Sequence, residues 1–175
     1  RVAAFRMASH LIDMGHRRIG MIAGISKDND RAAMRIVGVR DALDKHGLSL
    51  PPAHFIEQPY GIAEGKQGLR LLMDSAAPPT AIICGNDVLG FGALFEARAL
   101  GMNVPQDISI TGFDDLNLAR HMEPALTTMR VPSAEMGRRA ADYLFARLSG
   151  ETPPAATELE VSLIVRGTTA PPREL

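Results

Sequence analysis

The chain has 175 residues, with 19 Lys and Arg against 20 Asp and Glu, a formal net charge of −1, and 46% hydrophobic against 22% charged residues. That length suits a compact fold burying about 70% of its unfolded surface without a disulfide or metal staple. The single cysteine, Cys84, excludes an internal disulfide framework and any Cys-x-x-Cys metal or redox motif. The near-neutral balance is unlike that of a domain that grips nucleic acid by itself. No apolar run approaches the roughly 18 residues of a membrane span, and no signal peptide is visible.

The chain opens on Arg1 inside an apolar-periodic stretch (Val2, Ala3, Phe5, Met7, Ala8) with no helix-starting residue before it, and reads as part of something longer. Ile19 to Gly24 is a short apolar run typical of a buried strand. Turn-forming residues follow from Ser26 to Asp30. A helix then carries Ile36, Val39 and Leu43 at helical spacing and stops at Gly47. The pattern repeats with a strand at His54 to Gln58 and a helix from Gly61 to Ser75. Pro78-Pro79 breaks the chain before a strand at Ala81 to Cys84. A helix from Asp87 to Leu100, a strand at Ile108 to Gly112 and a short helix from Asp115 to Met122 come next. Thr127 to Arg130 is a strand, Ser133 to Leu148 a helix striped with Gly137, Ala140, Ala141, Leu144 and Leu148, and Leu159 to Val165 a last strand at an edge. Alternation with short connections means an α/β fold, a doubly wound parallel sheet with helices on both faces. The flavodoxin-like order 2-1-3-4-5 fits the first five strands.

Ligands of open parallel sheets bind beyond the carboxyl ends of the strands. That edge gathers Asp28, Arg31 and Arg35 after strand one, Tyr60 after strand two, Asn86-Asp87 after strand three and Asp114-Asp115 after strand four. Arginine forks, an amide, carboxylates and an aromatic ring together suit a neutral polyhydroxylated ligand, whose hydroxyls both donate and accept. Plainer roles stand beside this. Arg35 could be a solvated helix residue in an ion pair. One of Asn86 and Asp87 caps the helix that starts there, Asp115 is well placed as a cap for the next, and Tyr60 could simply pack.

Enzyme motifs fail. There is no Gly-x-Ser-x-Gly and no His-Glu-x-x-His, and Gly61 to Gln67 falls one residue short of a P-loop, with no Ser or Thr after Lys66. Gly90-Phe91-Gly92 lies inside a helix and lacks a third glycine. The five histidines have no metal-ligand spacing, and His16-Arg17-Arg18 reads as a charge cluster at a helix end or strand start. No catalytic residue, cofactor or metal is expected.

An ordered set of stretches resembles the LacI/GalR family of bacterial transcription regulators. These are His10 to Gly20, Arg35 to Gly38, Pro79 to Asp87, Val104 to Asp115, Pro124 to Thr128, Met136-Gly137 with Ala140-Ala141, and Arg166 to Thr169. The resemblance covers nearly the whole chain. It implies the C-terminal lobe of a type I periplasmic-binding-protein-like fold over residues 1–131. Residues 132–150 would be a crossover helix belonging to an N-terminal lobe outside this chain, its Ala140, Leu144 and Leu148 stripe left exposed, folded back or paired. Residues 151–175 would be a return strand and tail. It also implies a cytoplasmic homodimer that senses a small molecule, a sugar more than a nucleobase, in a cleft between lobes, and that reaches operator DNA only through an N-terminal helix-turn-helix.

The family's effector contacts fall on Arg35, a two-pronged clamp, on Asn86 and Asp114, which hold hydroxyls or ring atoms, on Tyr60, an aromatic wall, and on Arg31. Dimer contacts are expected from Phe91, Phe95, Leu118 and Met122, which could instead be core. A periplasmic sugar-binding protein for transport or chemotaxis would share the fold and cleft, and an upstream signal peptide would mark it. A flavodoxin-like enzyme domain is disfavoured because Ile25 to Asp30 has no glycine run to cradle a phosphate.

Overall fold

A computed structural model of the chain describes residues 1–173. Glu174 and Leu175, the end of the expected tail, lie outside the described residues. Six strands form one sheet: β1 Ile19–Gly24, β2 Phe55–Gln58, β3 Ala81–Cys84, β4 Ser109–Asp114, β5 Thr127–Arg130 and β6 Ser162–Ile164. Their spatial order is β2-β1-β3-β4-β5-β6, with β1 to β5 parallel and β6 antiparallel on the edge of β5. The expected order of the first five strands is therefore found. The helices are α1 Val2–Asp13, α2 Asp30–Lys45, α3 Ile62–Met73, α4 Asp87–Ala99 and α5 Ser133–Leu148.

Every residue of β1 and β3 is buried, because both faces of these strands are covered. Alternation divides them between two cores. Met21, Ala23, Ala81 and Ile83 pack with Met7, Leu11, Val39 and Leu43 of α1 and α2. Ile22, Ile82 and Cys84 pack with Leu69 and Leu72 of α3 and Leu89 of α4 on the other face. Each such large apolar side chain contributes about 1.5–3 kcal/mol by leaving water.

The glycines that failed as nucleotide motifs have a packing role. A Cβ on Gly65 would fall on the Leu89 carbonyl and beside Gly92, and one on Gly92 on the Ile62 carbonyl, so α3 and α4 touch backbone to backbone. Glu96, fully buried on α4, ties the pair further through Arg70 and through Lys66 at 3.6 Å.

His16 is a buried pin rather than part of a surface charge cluster. Its Nε2 lies 2.9 Å from the Ala170 carbonyl and 3.2 Å from Ser109 Oγ, and its Nδ1 lies 2.8 Å from Thr80 Oγ1. A carbonyl only accepts, so Nε2 carries the proton and Nδ1 accepts from the Thr80 hydroxyl. The ring thus joins the turn after α1, the starts of β3 and β4, and the chain's final stretch. Burial holds its pKa below the ordinary 6.5, with the Ala170 contact opposing and His10 adding to the fall.

Two expectations change. The helix at Asp115 to Met122 is only a 3₁₀ turn over Asn117–Arg120, and Asp115 does not cap it. The last strand shortens to Ser162–Ile164. No residue of α5 is buried, and Leu144, Phe145 and Leu148 are exposed, so its apolar stripe has no cover. Residues 154–157 and Leu159 border a groove along Met136, Ala140, Tyr143 and Leu144 without closing it.

Candidate functional site

Arg31, Arg35, Tyr60, Asn86 and Asp114 line one open pocket of about 280 Å³, together with Asn29. The pocket lies beyond the carboxyl ends of β1 to β4 and straddles β1 and β3, where the strand order reverses. That is where parallel α/β sheets leave a crevice. An adjoining groove of about 420 Å³ shares Arg31 and Arg35 and runs on past Met34, Phe113, Pro132 and Leu159.

Each lining side chain is held by its own element. Asn29 caps α2, its Oδ1 accepting from the Ala32 N–H at 3.2 Å, and Asn86 caps α4, accepting from the Leu89 N–H at 2.9 Å. Arg35 lies one turn into α2. It donates through Nη1 to the Gly85 carbonyl at 2.8 Å and through Nη2 to Asp114 Oδ1 at 3.4 Å, with its guanidinium 4.0 Å from the centre of the Phe113 ring. Hydrogen bond, ion pair and ring contact together fix a side chain that is otherwise rich in rotamers. The Tyr60 ring occupies the space a side chain at Gly24 would fill. Asp114 has φ +119 and Asp115 φ +58, a region that non-glycine residues rarely adopt. Burial raises the Asp114 carboxyl above its ordinary pKa; Arg35 pulls it back, Asp87 pushes it up and Arg31 lowers it.

Below the pocket, the ambiguous pairs resolve. Asn86 caps and still lines the pocket through the rest of its amide. Asp87 is buried, accepting from the Leu116 N–H and the Thr128 hydroxyl, each at 2.6 Å. A Cβ on Gly112 would strike its carboxylate, so Gly112 makes that seat possible. Asp115 accepts from Arg130 Nε and Arg166 Nη2, each at 2.6 Å, with its own side chain only 4% exposed. Burial pushes its pKa up, but the two arginines outweigh that and hold it below the ordinary value. The expected cap is instead an anchor for β5 and for the strand's return after β6.

Of the expected dimer contacts, Phe91 is corrected: it is 3% exposed and belongs to the core under α4. Phe95 and Leu118 are exposed. Phe95 and Met122 border a shallow groove with Leu94, Arg98 and Pro124. Sequence reasoning missed Asn29 as a lining residue, although its place just before α2 is an N-cap signal. It also missed Arg166, whose partner lies 51 residues away. Burial pushes the Cys84 thiol up, leaving an inert protonated group. Among the described residues no group of three His, Cys, Asp or Glu is placed to hold a metal, and no helix is long and apolar enough to cross a membrane.

The chain thus has a three-layer, mostly parallel α/β fold with an open polar pocket at its strand-order reversal. Residues 8–169 match the periplasmic binding protein-like domain family, and the chain belongs to that family. It is 35% identical over 168 residues to the HTH-type transcriptional repressor CytR of Escherichia coli strain K12, covering 95% of this chain and 49% of that protein. The chain thus spans about half the length of the curated relatives it matches. It is similar in structure to a LacI family transcriptional regulator from Mycobacterium smegmatis, with TM-score 0.87 and 34% identity, over 97% of this chain and 64% of that one. A LacI family regulator from Enterococcus faecium with bound ribose is similar at TM-score 0.85 and 29% identity, over 96% and 62% of the two chains. These relatives are regulators of transcription.

Proposed function

We propose that this chain is the C-terminal lobe of the effector-binding part of a LacI-type transcriptional regulator, binding its effector without transforming it. Residues 1–131 form the lobe, residues 132–150 cross to an N-terminal lobe, and residues 151–175 return. The exposed stripe of α5 supports this division, since such a contiguous apolar face normally meets a partner surface. Arg35, Asn86, Asp114, Tyr60 and Arg31 contact an effector held between the lobes, and a sugar suits their mixture of donors, acceptor and ring better than a nucleobase. Effector binding shifts the balance between two lobe arrangements. In a homodimer, that shift reaches operator DNA through an upstream helix-turn-helix, with a coupling of about 1–3 kcal/mol.

The observation that carries the reading is the meeting of those five side chains, from four separate strand ends, in one pocket. A pocket of about 280 Å³ falls just under the roughly 300–1,000 Å³ of complete small-molecule sites, as half of a two-lobed cleft should. The test is calorimetry on the full-length protein with sugars selected by thermal shift. Arg35→Ala should weaken binding by about 1.5–3 kcal/mol, the worth of a hydrogen bond to a charged group. Unchanged affinity would remove Arg35 from the site.

A further inference from the structure

Asp114 and Asp115 join the pocket to both passages by which the chain leaves this lobe and comes back. Arg130 is the last residue of β5, and the chain departs over Val131 and Pro132 into α5. It returns through β6, where Ser162 lies opposite Arg130, and Arg166 follows just after that strand ends. The Asp115 carboxylate accepts from Arg130 Nε and from Arg166 Nη2, each at 2.6 Å. Arg166 also donates through Nη1 to the Leu126 carbonyl at 2.8 Å and through its backbone N–H to Thr127 Oγ1 at 2.9 Å. Departure and return are thus tied together at one residue, the neighbour of a pocket residue. The other lining residues stand on or at the start of α2 and α4, or after β2, and none of these elements leads out of the lobe.

The bonds on the two sides of this junction differ. Asp114 is held loosely. Arg35 reaches its Oδ1 at 3.4 Å, and its carbonyl accepts from the Val131 N–H at 3.4 Å, both beyond the usual range of about 2.7–3.2 Å. Asp115 is held by short charge-assisted bonds, with its side chain 4% exposed. Asp87 pins the next residue, accepting from the Leu116 N–H at 2.6 Å. A ligand that engages Arg35 and the Asp114 carboxylate takes up the slack at Asp114. With Leu116 pinned, the peptide between Asp114 and Asp115 pivots there, and the Asp115 carboxylate draws Arg130 and Arg166 with it. Positive φ at both aspartates holds this turn in a sparsely populated conformation, the kind of strain found at switch regions.

We infer that Asp115 is a positioning residue that transmits effector binding. Its carboxylate converts a shift at Asp114 into a shift of both passages and so biases the arrangement of the lobes. This rests on the proposed effector site and two-lobed regulator. Asp115 is not among the residues that line the pocket, so its loss should spare effector affinity and cut the coupling to DNA.

The full-length protein tests this, with D-ribose, D-glucose and cellobiose as probes and an operator selected from random DNA. Operator affinity is measured with and without saturating sugar, well below the melting temperature. The two affinities should differ by about 5–150-fold in the wild type, the usual span of such coupling. Asp115→Asn should bring that ratio within about twofold of unity, and Arg130→Gln should lower it at least about threefold. Arg130→Gln leaves Arg166 on the carboxylate, so it reports even where Asp115→Asn folds poorly. Calorimetry should give both variants the wild-type affinity for sugar. Leu72→Ala, a cavity in the core of α3 away from the turn, should lower the melting temperature and keep the wild-type ratio, which separates transmission from loss of stability. Clamp variants that keep the wild-type ratio overturn the inference, as does a Leu72→Ala protein that loses it equally. A wild-type protein whose bound sugar leaves operator affinity unchanged overturns it too. So does a loss of sugar affinity of about tenfold or more in the clamp variants, which would put Asp115 in the site itself. In each of these results the effector site stands. A wild-type protein that binds none of the sugars, or selects no DNA, removes the proposed sugar-responsive regulator and this inference with it.

Discussion

Asp114 and Asp115 are neighbours in sequence with opposite surroundings. Consecutive positive φ angles turn the first carboxylate into the pocket and the second into the clamp of Arg130 and Arg166. Their linkage to folding has opposite sign. Asp114 has a raised pKa, so keeping it ionised opposes folding at neutral pH, and that penalty is relieved as pH falls. Asp115 has a depressed pKa, so its stabilisation is present above the unfolded value of 3.8 and is lost as pH falls through the lower folded value. Replacing one partner of a buried pair leaves the other charge uncompensated. Arg166 is largely buried and Arg130 about half exposed, so Asp115→Asn should destabilise the protein by about 3 kcal/mol at pH 7, toward the lower end for such pairs. Urea unfolding at a series of pH values should show the gap to wild type narrowing below pH 4. A gap that stays constant down to pH 2.5 would rule out the ionised clamp. His16 adds to the acid lability: its stabilisation is complete above 6.5 and lost as pH falls toward its lowered folded value.

At the scale of elements, two glycines in helices are used in different ways. Gly92 lies at the α3–α4 contact, where no Cβ fits, whereas Gly137 on α5 has open space around it. Alanine favours a helix over glycine by about 0.8–1 kcal/mol at both positions. Gly137→Ala should therefore raise stability by roughly that amount. Gly92→Ala should lower it by about 1–3 kcal/mol, the usual penalty for overpacking. Thermal melts of the two variants decide it, and a Gly92→Ala protein as stable as wild type would contradict the close helix contact. Gly65 and Gly92 were legible as a pattern but not as a purpose, because their spacing brushes against nucleotide-binding motifs and their true partner is another helix. The element boundaries were far more legible, β1 and β5 being found where apolar period and turn residues place them, since those signals act within a few residues.

For the whole molecule, the expected dimer surface narrows to Phe95, Leu118 and Met122 once Phe91 is seen to be core. Phe95 is 42% exposed on α4, so a charge there is tolerated by the fold and hostile to an apolar partner. Sedimentation of the full-length protein should show Phe95→Glu shifting a dimer toward monomer, with its melting temperature at high dilution unchanged. A dimer of unaltered strength would place the contact elsewhere. The uncovered face of α5 is a second surface of this kind, yet its setting differs. Its connections leave and return beside the Asp115 clamp, so pocket and helix share a foundation at the carboxyl end of β4 and β5.

From residue order alone came the layered α/β class, the strand order 2-1-3-4-5 and the five pocket residues, because apolar period, turn chemistry and the rule of strand carboxyl ends are local or topological. Tertiary structure decided what each polar group is committed to. It made Asn29 and Asn86 helix caps, made Asp115 a clamp, made His16 a buried pin and put Phe91 inside. Those outcomes depend on partners as far as 154 residues apart in the chain. A residue's chemistry limits which bonds it can form, and only the packed chain determines which groups come within reach.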